Sequence, residues 1–134
     1  MKLKHNLLPL LNKHFGYSAF RENQHEIINS IIENVNTVVI MPTGGGKSLC
    51  YQLSAIASEG IAIIISPLIA LMKNQVDVLK GLFSVDGVAN VLNSSLSKTE
   101  ADSVKYQITN GVTKLLYMAP ESVSYTHLTL PTKR

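Results

Sequence analysis

Val38-Val39-Ile40-Met41-Pro42-Thr43-Gly44-Gly45-Gly46-Lys47-Ser48-Leu49-Cys50 decides how the rest of the chain is read. Thr37–Met41 is a short β-branched, apolar run, which predicts a buried strand. Pro42–Gly46 is incompatible with regular structure, because proline removes a backbone donor and three glycines weaken helix and strand alike. From Lys47 the character turns helical up to Ser58. Strand, glycine-rich loop, Lys-Ser and helix, in that order, are what a polyphosphate requires. The start of a helix offers unpaired N–H groups and the positive end of its dipole. Glycines let successive amides turn inward with no side chain in the way. Thr43, Gly44, Gly45 and Gly46 are therefore the expected cradle, Lys47 a mobile charge for the β and γ phosphates, and Ser48 a hydroxyl ligand for Mg²⁺. Met41 stands where the general pattern has its first glycine.

Outward from the loop, segments of two periods alternate. Upstream, Leu7–His14 predicts a short helix with Pro9 in its first turn and Gly16 just past its end. Phe20–Val35 carries apolar residues at Phe20, Ile27, Ile28, Ile31, Ile32 and Val35, a single helical stripe. Downstream, Ile61–Ile65 predicts a strand, Ala70–Lys80 a helix ending at Gly81, Gly87–Leu92 a third strand and Lys114–Met118 a fourth. Ser97-Lys98-Thr99-Glu100 has the spacing of a capping box opening a helix that ends at Asn110-Gly111. Apolar strands separated by helices imply a parallel sheet covered by helices on both faces, a doubly wound α/β fold.

The chain has 134 residues, enough for one ordinary domain, and its 46% apolar content supplies a buried core. A net charge of +3, from 12 basic and 9 acidic residues, permits nucleic-acid contact without indicating it. The single cysteine, Cys50, excludes an internal disulfide framework and a cysteine-rich zinc site. The four histidines are scattered without ligand-like spacing, so no metal site beyond Ser48 is expected. No stretch has the length of a membrane span or a signal-peptide core, so an intracellular, cytoplasmic or nucleoid/nuclear location without membrane contact is the expectation.

Further stretches line up with one family. Phe15-Gly16-Tyr17, Phe20-Arg21 and Gln24 precede the loop, and Leu49-Cys50-Tyr51-Gln52 follows it. Ser66-Pro67-Leu68-Ile69-Ala70-Leu71-Met72-Lys73-Asn74-Gln75-Val76 follows the second expected strand. Leu92-Asn93-Ser94 and Tyr117-Met118-Ala119-Pro120-Glu121 accompany the third and fourth. In order and spacing these resemble the first half of the RecQ-family ATP-dependent DNA helicases, in superfamily 2, over residues 7–123. The resemblance implies part of a RecA-like P-loop domain across residues 1–123, with ATP and Mg²⁺ as cofactors. The implied activity is a 3′-to-5′ DNA helicase of recombination and repair, acting on single-stranded or forked DNA.

Residue by residue, the resemblance implies that Tyr17 stacks on adenine, Gln24 bonds its edge and Arg21 helps hold the nucleotide. An aromatic face and an amide with adjacent donor and acceptor suit that base. It implies a single-strand contact at Ser66 and Pro67, helped by Lys73 and Gln75, with Asn93 and Ser94 at the same edge of the sheet. Phe15 and Phe20 are expected in the core, and Cys50 is expected to be packed and inert.

Hydrolysis needs acidic residues for the metal and the attacking water, and a neutralising arginine. The family's Asp-Glu-Ala-His element is absent, since no Asp-Glu pair occurs in the sequence. Residues 124–134 break the alternating pattern and are expected to be a non-native or disordered tail. The expectation for this chain is nucleotide binding without unwinding. Two alternatives are a nucleotide- or single-strand-binding module without turnover and a superfamily 2 RNA helicase fragment.

Overall fold

The computed structural model describes residues 6–42, 46–83, 87–93 and 95–121, and the chain divides into two compact units, residues 1–59 and 60–134. The predicted tail at 124–134 lies outside the described residues, as do Thr43, Gly44, Gly45 and Ser94.

Among the described residues the first unit holds three helices. α1 (Leu8–Phe15) accepts Pro9 in its first turn, where a missing N–H costs nothing. It stops at Gly16, whose φ of 79° is left-handed and whose N–H bonds the Asn12 carbonyl at 3.0 Å. α2 (Gln24–Ile32) is shorter than the periodic stripe predicts. Its start is delayed by a turn in which Gln24 N–H donates to the Arg21 carbonyl at 2.9 Å, with Glu22 at φ 33°. Its end is set by Asn34, at φ 64°. α3 (Lys47–Ala57) follows the glycine loop. Leu7, Leu11, Ile28, Leu49, Cys50 and Leu53 form the shared core, with Phe15 and Phe20 packed against it. Each fully buried leucine or isoleucine here contributes about 1.5–3 kcal/mol.

The strand predicted at Thr37–Met41 does not form. Val38 and Ile40 are 90% and 93% exposed. A β-branched run favours the extended backbone, but a strand exists only through ladder bonds to a neighbour, and none pairs with this segment among the described residues. Thr37 instead bonds locally, its hydroxyl donating to the Val35 carbonyl at 2.7 Å.

The second unit is a parallel sheet with two crossover helices: β1 (Ala62–Ile65), α4 (Ile69–Leu82), β2 (Ala89–Leu92), α5 (Lys98–Thr109) and β3 (Leu115–Met118). Strand order is β1-β3-β2, with Ala62 and Ala89 both opposite Leu115 and Ile65 and Leu92 both opposite Met118. The β1→β2 and β2→β3 connections run in opposite directions along the sheet, so right-handed crossovers place α4 on one face and α5 on the other. The central strand β3 is buried along its whole length. Leu116 and Met118 meet Val104 and Ile108 of α5 on one face. Ile63 and Ile65 share that face in register but are 44% and 54% exposed.

Sequence expectations for the bounds of these elements hold within two residues. Gly81 does not end α4, which continues to Leu82. The capping box forms as predicted: Ser97 Oγ accepts from Glu100 N–H at 3.1 Å, and Glu100 Oε1 accepts from Ser97 N–H at 2.9 Å. A buried polar cluster joins the strands to α5. Asn90 Nδ2 donates to Gln107 Oε1 at 2.9 Å and to Thr113 Oγ1 at 3.0 Å, while Thr113 donates to the Gly87 carbonyl at 2.8 Å. Gly87 sits at φ +95°, where other residues are strained, and a Cβ there would lie 2.7 Å from the end of the Gln107 side chain, which would have to shift.

Candidate functional site

Within the first unit, Arg21 and Gln24, two of the residues expected to hold a nucleotide, come close to Gly46 at the start of α3, next to Lys47 and Ser48. Gly46 is the N-cap of α3, in the left-handed region at φ 87°. This conformation turns the chain from loop to helix and leaves the first amides of α3 without helical acceptors. Lys47 opens the helix and is exposed. Its Nζ donates to the Met41 carbonyl at 3.2 Å, so the ammonium folds back across the ends of the loop. A phosphate oxygen outcompetes this neutral carbonyl, because both partners of the new bond are then charged. Ser48 follows in the first turn and is half-buried.

Gln24 meets this helix start from α2. The side chain is 2% exposed. Its Oε1 accepts from Arg21 N–H at 2.8 Å, and its Nε2 donates to the Gly46 carbonyl at 3.2 Å. The glycine is required for this contact, because a Cβ at position 46 would lie 2.2 Å from Gln24 Nε2. The Arg21 guanidinium is also close, with Nη1 3.9 Å from the same point. Tyr17 is 58% exposed. The family resemblance implies a base-binding role for Gln24 and carries no sign of the tether to Gly46. The separation of 22 residues between them left no local signal for it.

Cys50 lies one turn into α3, buried, its thiol directed at the Gly46 carbonyl at 3.6 Å. Burial pushes its pKa above the ordinary thiol value, which suits the expected packed and inert role.

In the second unit, the parallel strands all end at one edge of the sheet. Ser66 follows β1 there, its N–H bonded to the Met118 carbonyl at 3.1 Å and its Oγ accepting from Leu68 N–H at 3.2 Å. Pro67 is exposed beside it. Asn93 follows β2, its Oδ1 accepting from Ser95 N–H at 2.8 Å. Lys73 lies on α4, in an exposed pair with Asp77 at 3.4 Å. Lys73 and Asn93, brought together by the fold, line one cleft of about 500 Å³ between α4, β2 and α5. Ser66, Pro67 and the half-buried Gln75 do not line it. The cleft also takes in Lys80, Ser95, Ser103 and Gln107, which the sequence reading passed over because no motif marks them. Among the described residues, no group of three or more His, Cys, Asp or Glu is placed to hold a metal ion. No helix among them is long and apolar enough to cross a membrane.

A glycine N-cap followed by Lys-Ser, held from behind by a glutamine, now has relatives to be set against. The profile of the DEAD/DEAH box helicase family matches residues 21–134. The chain belongs to the DEAD/DEAH box helicases. Within that family its similarity is to the RecQ branch. It is 45% identical over 130 residues to the ATP-dependent DNA helicase RecQ of Pasteurella multocida, covering 94% of this chain and 20% of that protein. It is 44% identical to the ATP-dependent DNA helicase RecQ of Bacillus subtilis, covering 90% of this chain and 20% of the relative. It is 42% identical to a putative ATP-dependent DNA helicase Q1 of Caenorhabditis elegans, covering 86% and 18%. The chain thus spans about a fifth of the length of the curated relatives it matches. The parallel β1-β3-β2 sheet with its crossover helices is a part of the RecA-like α/β fold expected of a DEAD/DEAH box helicase.

Proposed function

We propose that this chain is the ATP-binding portion of the first motor domain of a 3′-to-5′ DNA helicase of RecQ type, with residues 1–123 as the motor-domain part. The observation that supports this most is the start of α3: an exposed lysine at its first position, a left-handed glycine at its cap and a buried glutamine behind it. Names carried by the relatives supply the substrate class, since those proteins are described as ATP-dependent DNA helicases.

The chemistry follows from the residues. Thr43, Gly44, Gly45 and Gly46 cradle the phosphates through backbone amides, and Lys47 leaves the Met41 carbonyl for the β and γ phosphates. Ser48 would supply a hydroxyl oxygen to Mg²⁺, a cation that favours oxygen donors. Bound there, the metal would neutralise charge on the triphosphate. Among the described residues Gln24 Oε1 accepts one bond and Nε2 donates one, and the remaining acceptor and donor of the amide are what it would offer to the adenine edge. Tyr17 covers the base, and Arg21 adds a charge beside it.

Single-stranded or forked DNA is the partner of the second unit, met at the strand-end edge by Ser66, Pro67, Lys73, Gln75, Asn93 and Ser94. Backbone amides and polar side chains at such an edge suit a phosphate chain. The location that goes with this work is intracellular, in the cytoplasm, nucleoid or nucleus. A nucleotide titration with a phosphate-release assay on this chain, alongside unwinding by the longer parent protein and its Lys47→Ala variant, tests the proposal. Loss of DNA-stimulated hydrolysis in that variant is the expected result, and retained hydrolysis refutes it.

A further inference from the structure

Asn110-Gly111 is the one Asn-Gly pair in the sequence, and it closes α5 at the surface. Asn110 is the C-cap, at φ −90° and ψ 8°, and Gly111 follows in the left-handed region at φ 76°. A glycine presents its backbone nitrogen to the preceding side chain with no Cβ in the way, and that side chain is an amide that can be displaced. Hydroxide takes the Gly111 amide proton, and the nitrogen attacks Asn110 Cγ to form a five-membered succinimide. The Cγ–Nδ2 bond breaks, and Nδ2 leaves as ammonia with a proton from water. Water then opens the ring at either carbonyl, giving aspartate or isoaspartate at position 110. Nothing is oxidised or reduced, and water is the only co-reactant.

The fold holds both reacting groups in other bonds. Asn110 Nδ2, the leaving nitrogen, donates to the Tyr106 carbonyl at 2.8 Å. The Gly111 N–H donates to the Ile108 carbonyl at 3.1 Å, and the next N–H, of Val112, returns to the Gln107 carbonyl at 3.0 Å. The last turn of α5 has to open before the glycine nitrogen is free to meet Cγ. A helix end opens at a lower free energy than the whole domain does.

We infer that Asn110 is a deamidation site of this chain, held back by the C-terminal turn of α5 and released when that turn opens. The product works against the bonds that delayed it. A carboxylate has no hydrogen to give, so an oxygen acceptor then faces the Tyr106 carbonyl. Its charge also falls at the negative end of the α5 dipole. Isoaspartate adds one carbon to the main chain shortly before Thr113, whose hydroxyl donates to the Gly87 carbonyl and accepts from Asn90. Change at an exposed corner therefore loosens the join between α5 and β3. This inference is independent of the nucleotide and DNA readings.

The test ages the 134-residue chain at mildly alkaline pH, with and without guanidinium chloride, and follows every asparagine by peptide mass mapping. In denaturant Asn110 should convert first, to a mixture of aspartate and isoaspartate. Without denaturant its conversion should be slower by about tenfold or more, as a reaction gated by local opening requires. Gly111→Ala should slow the reaction in denaturant, a readout in which folding plays no part. Asn110→Asp, made directly, should unfold at a lower urea midpoint than the native chain, and added salt should narrow the gap by screening the dipole. Three results overturn the inference: equal rates with and without denaturant, another asparagine converting ahead of Asn110 in denaturant, or an Asn110→Asp midpoint at or above the native one.

Discussion

The amide nitrogen of Gln24 donates to the carbonyl of Gly46 at 3.2 Å, joining the first residue of α2 to the N-cap of α3. The same side chain accepts from Arg21 N–H, so one buried amide holds both the turn before α2 and the end of the phosphate loop. Gln24→Ala removes two part-buried hydrogen bonds, which costs about 1–3 kcal/mol of stability. Nucleotide affinity should fall with it by about tenfold, read by titration with a fluorescent ATP analogue. An unchanged melting temperature and affinity would show that the tether carries no weight.

Gly46→Ala adds a Cβ 2.2 Å from Gln24 Nε2 at a φ of +87°. The two penalties, steric and conformational, predict a loss of about 2 kcal/mol or more. The clash term disappears in the Gln24→Ala background, while the backbone term stays. A double-mutant cycle on urea midpoints should therefore be non-additive. Simple additivity contradicts the contact.

Lys47→Ala removes an exposed side chain that, among the described residues, bonds only the Met41 carbonyl. Stability should move by less than about 0.5 kcal/mol. ATP affinity measured by calorimetry should drop by ten- to a hundredfold, roughly the 1.5–3 kcal/mol of a hydrogen bond to a charged group. A large stability loss instead would assign the lysine a structural role.

Ser97→Ala deletes the capping-box acceptor of Glu100 N–H, while the backbone N–H of residue 97 can still donate to the Glu100 carboxylate. About 1 kcal/mol should be lost. Chemical denaturation of the variant measures it, and hydrogen exchange should localise the effect to the first turn of α5. Exchange that quickens evenly along the helix would speak against a cap effect.

Cys50 has a thiol raised above its ordinary value by burial. Its neutral form therefore favours the folded state. The stability this gives is full below the unfolded thiol pKa and is lost as pH rises through the folded value. Against Cys50→Ala, the native chain should lose urea resistance on moving from about pH 7 to about pH 10. Iodoacetamide at pH 8 should label it slowly in the folded chain and quickly in urea. Fast labelling without denaturant would place the thiol at the surface.

Much of the second unit was legible from local chemistry. The capping box at Ser97–Glu100, the apolar runs at Ile61–Ile65 and Lys114–Met118, and the glycine after Asn110 each act within a few residues, so spacing alone revealed them. Gly81 misled, because a glycine inside a helix costs only about 1 kcal/mol against alanine and the packing of α4 on its sheet outweighs that. Gln24 was marked for a base edge by resemblance, and nothing nearby in sequence pointed to Gly46.

What the sequence determined by itself was the glycine-to-lysine turn that opens α3, the helix stripes, and the alternation that implies a parallel sheet. Each depends on backbone freedom or periodicity, properties carried in neighbouring residues. Tertiary structure alone decided that β3 lies between β1 and β2, that Lys73 and Asn93 share a cleft with Lys80, and that Gln24 closes on Gly46. It also left Val38 and Ile40 unpaired, since a strand needs a neighbour and propensity cannot supply one. Pairings of this kind link residues far apart in the chain, where the geometry of the fold, and no local preference, sets who meets whom.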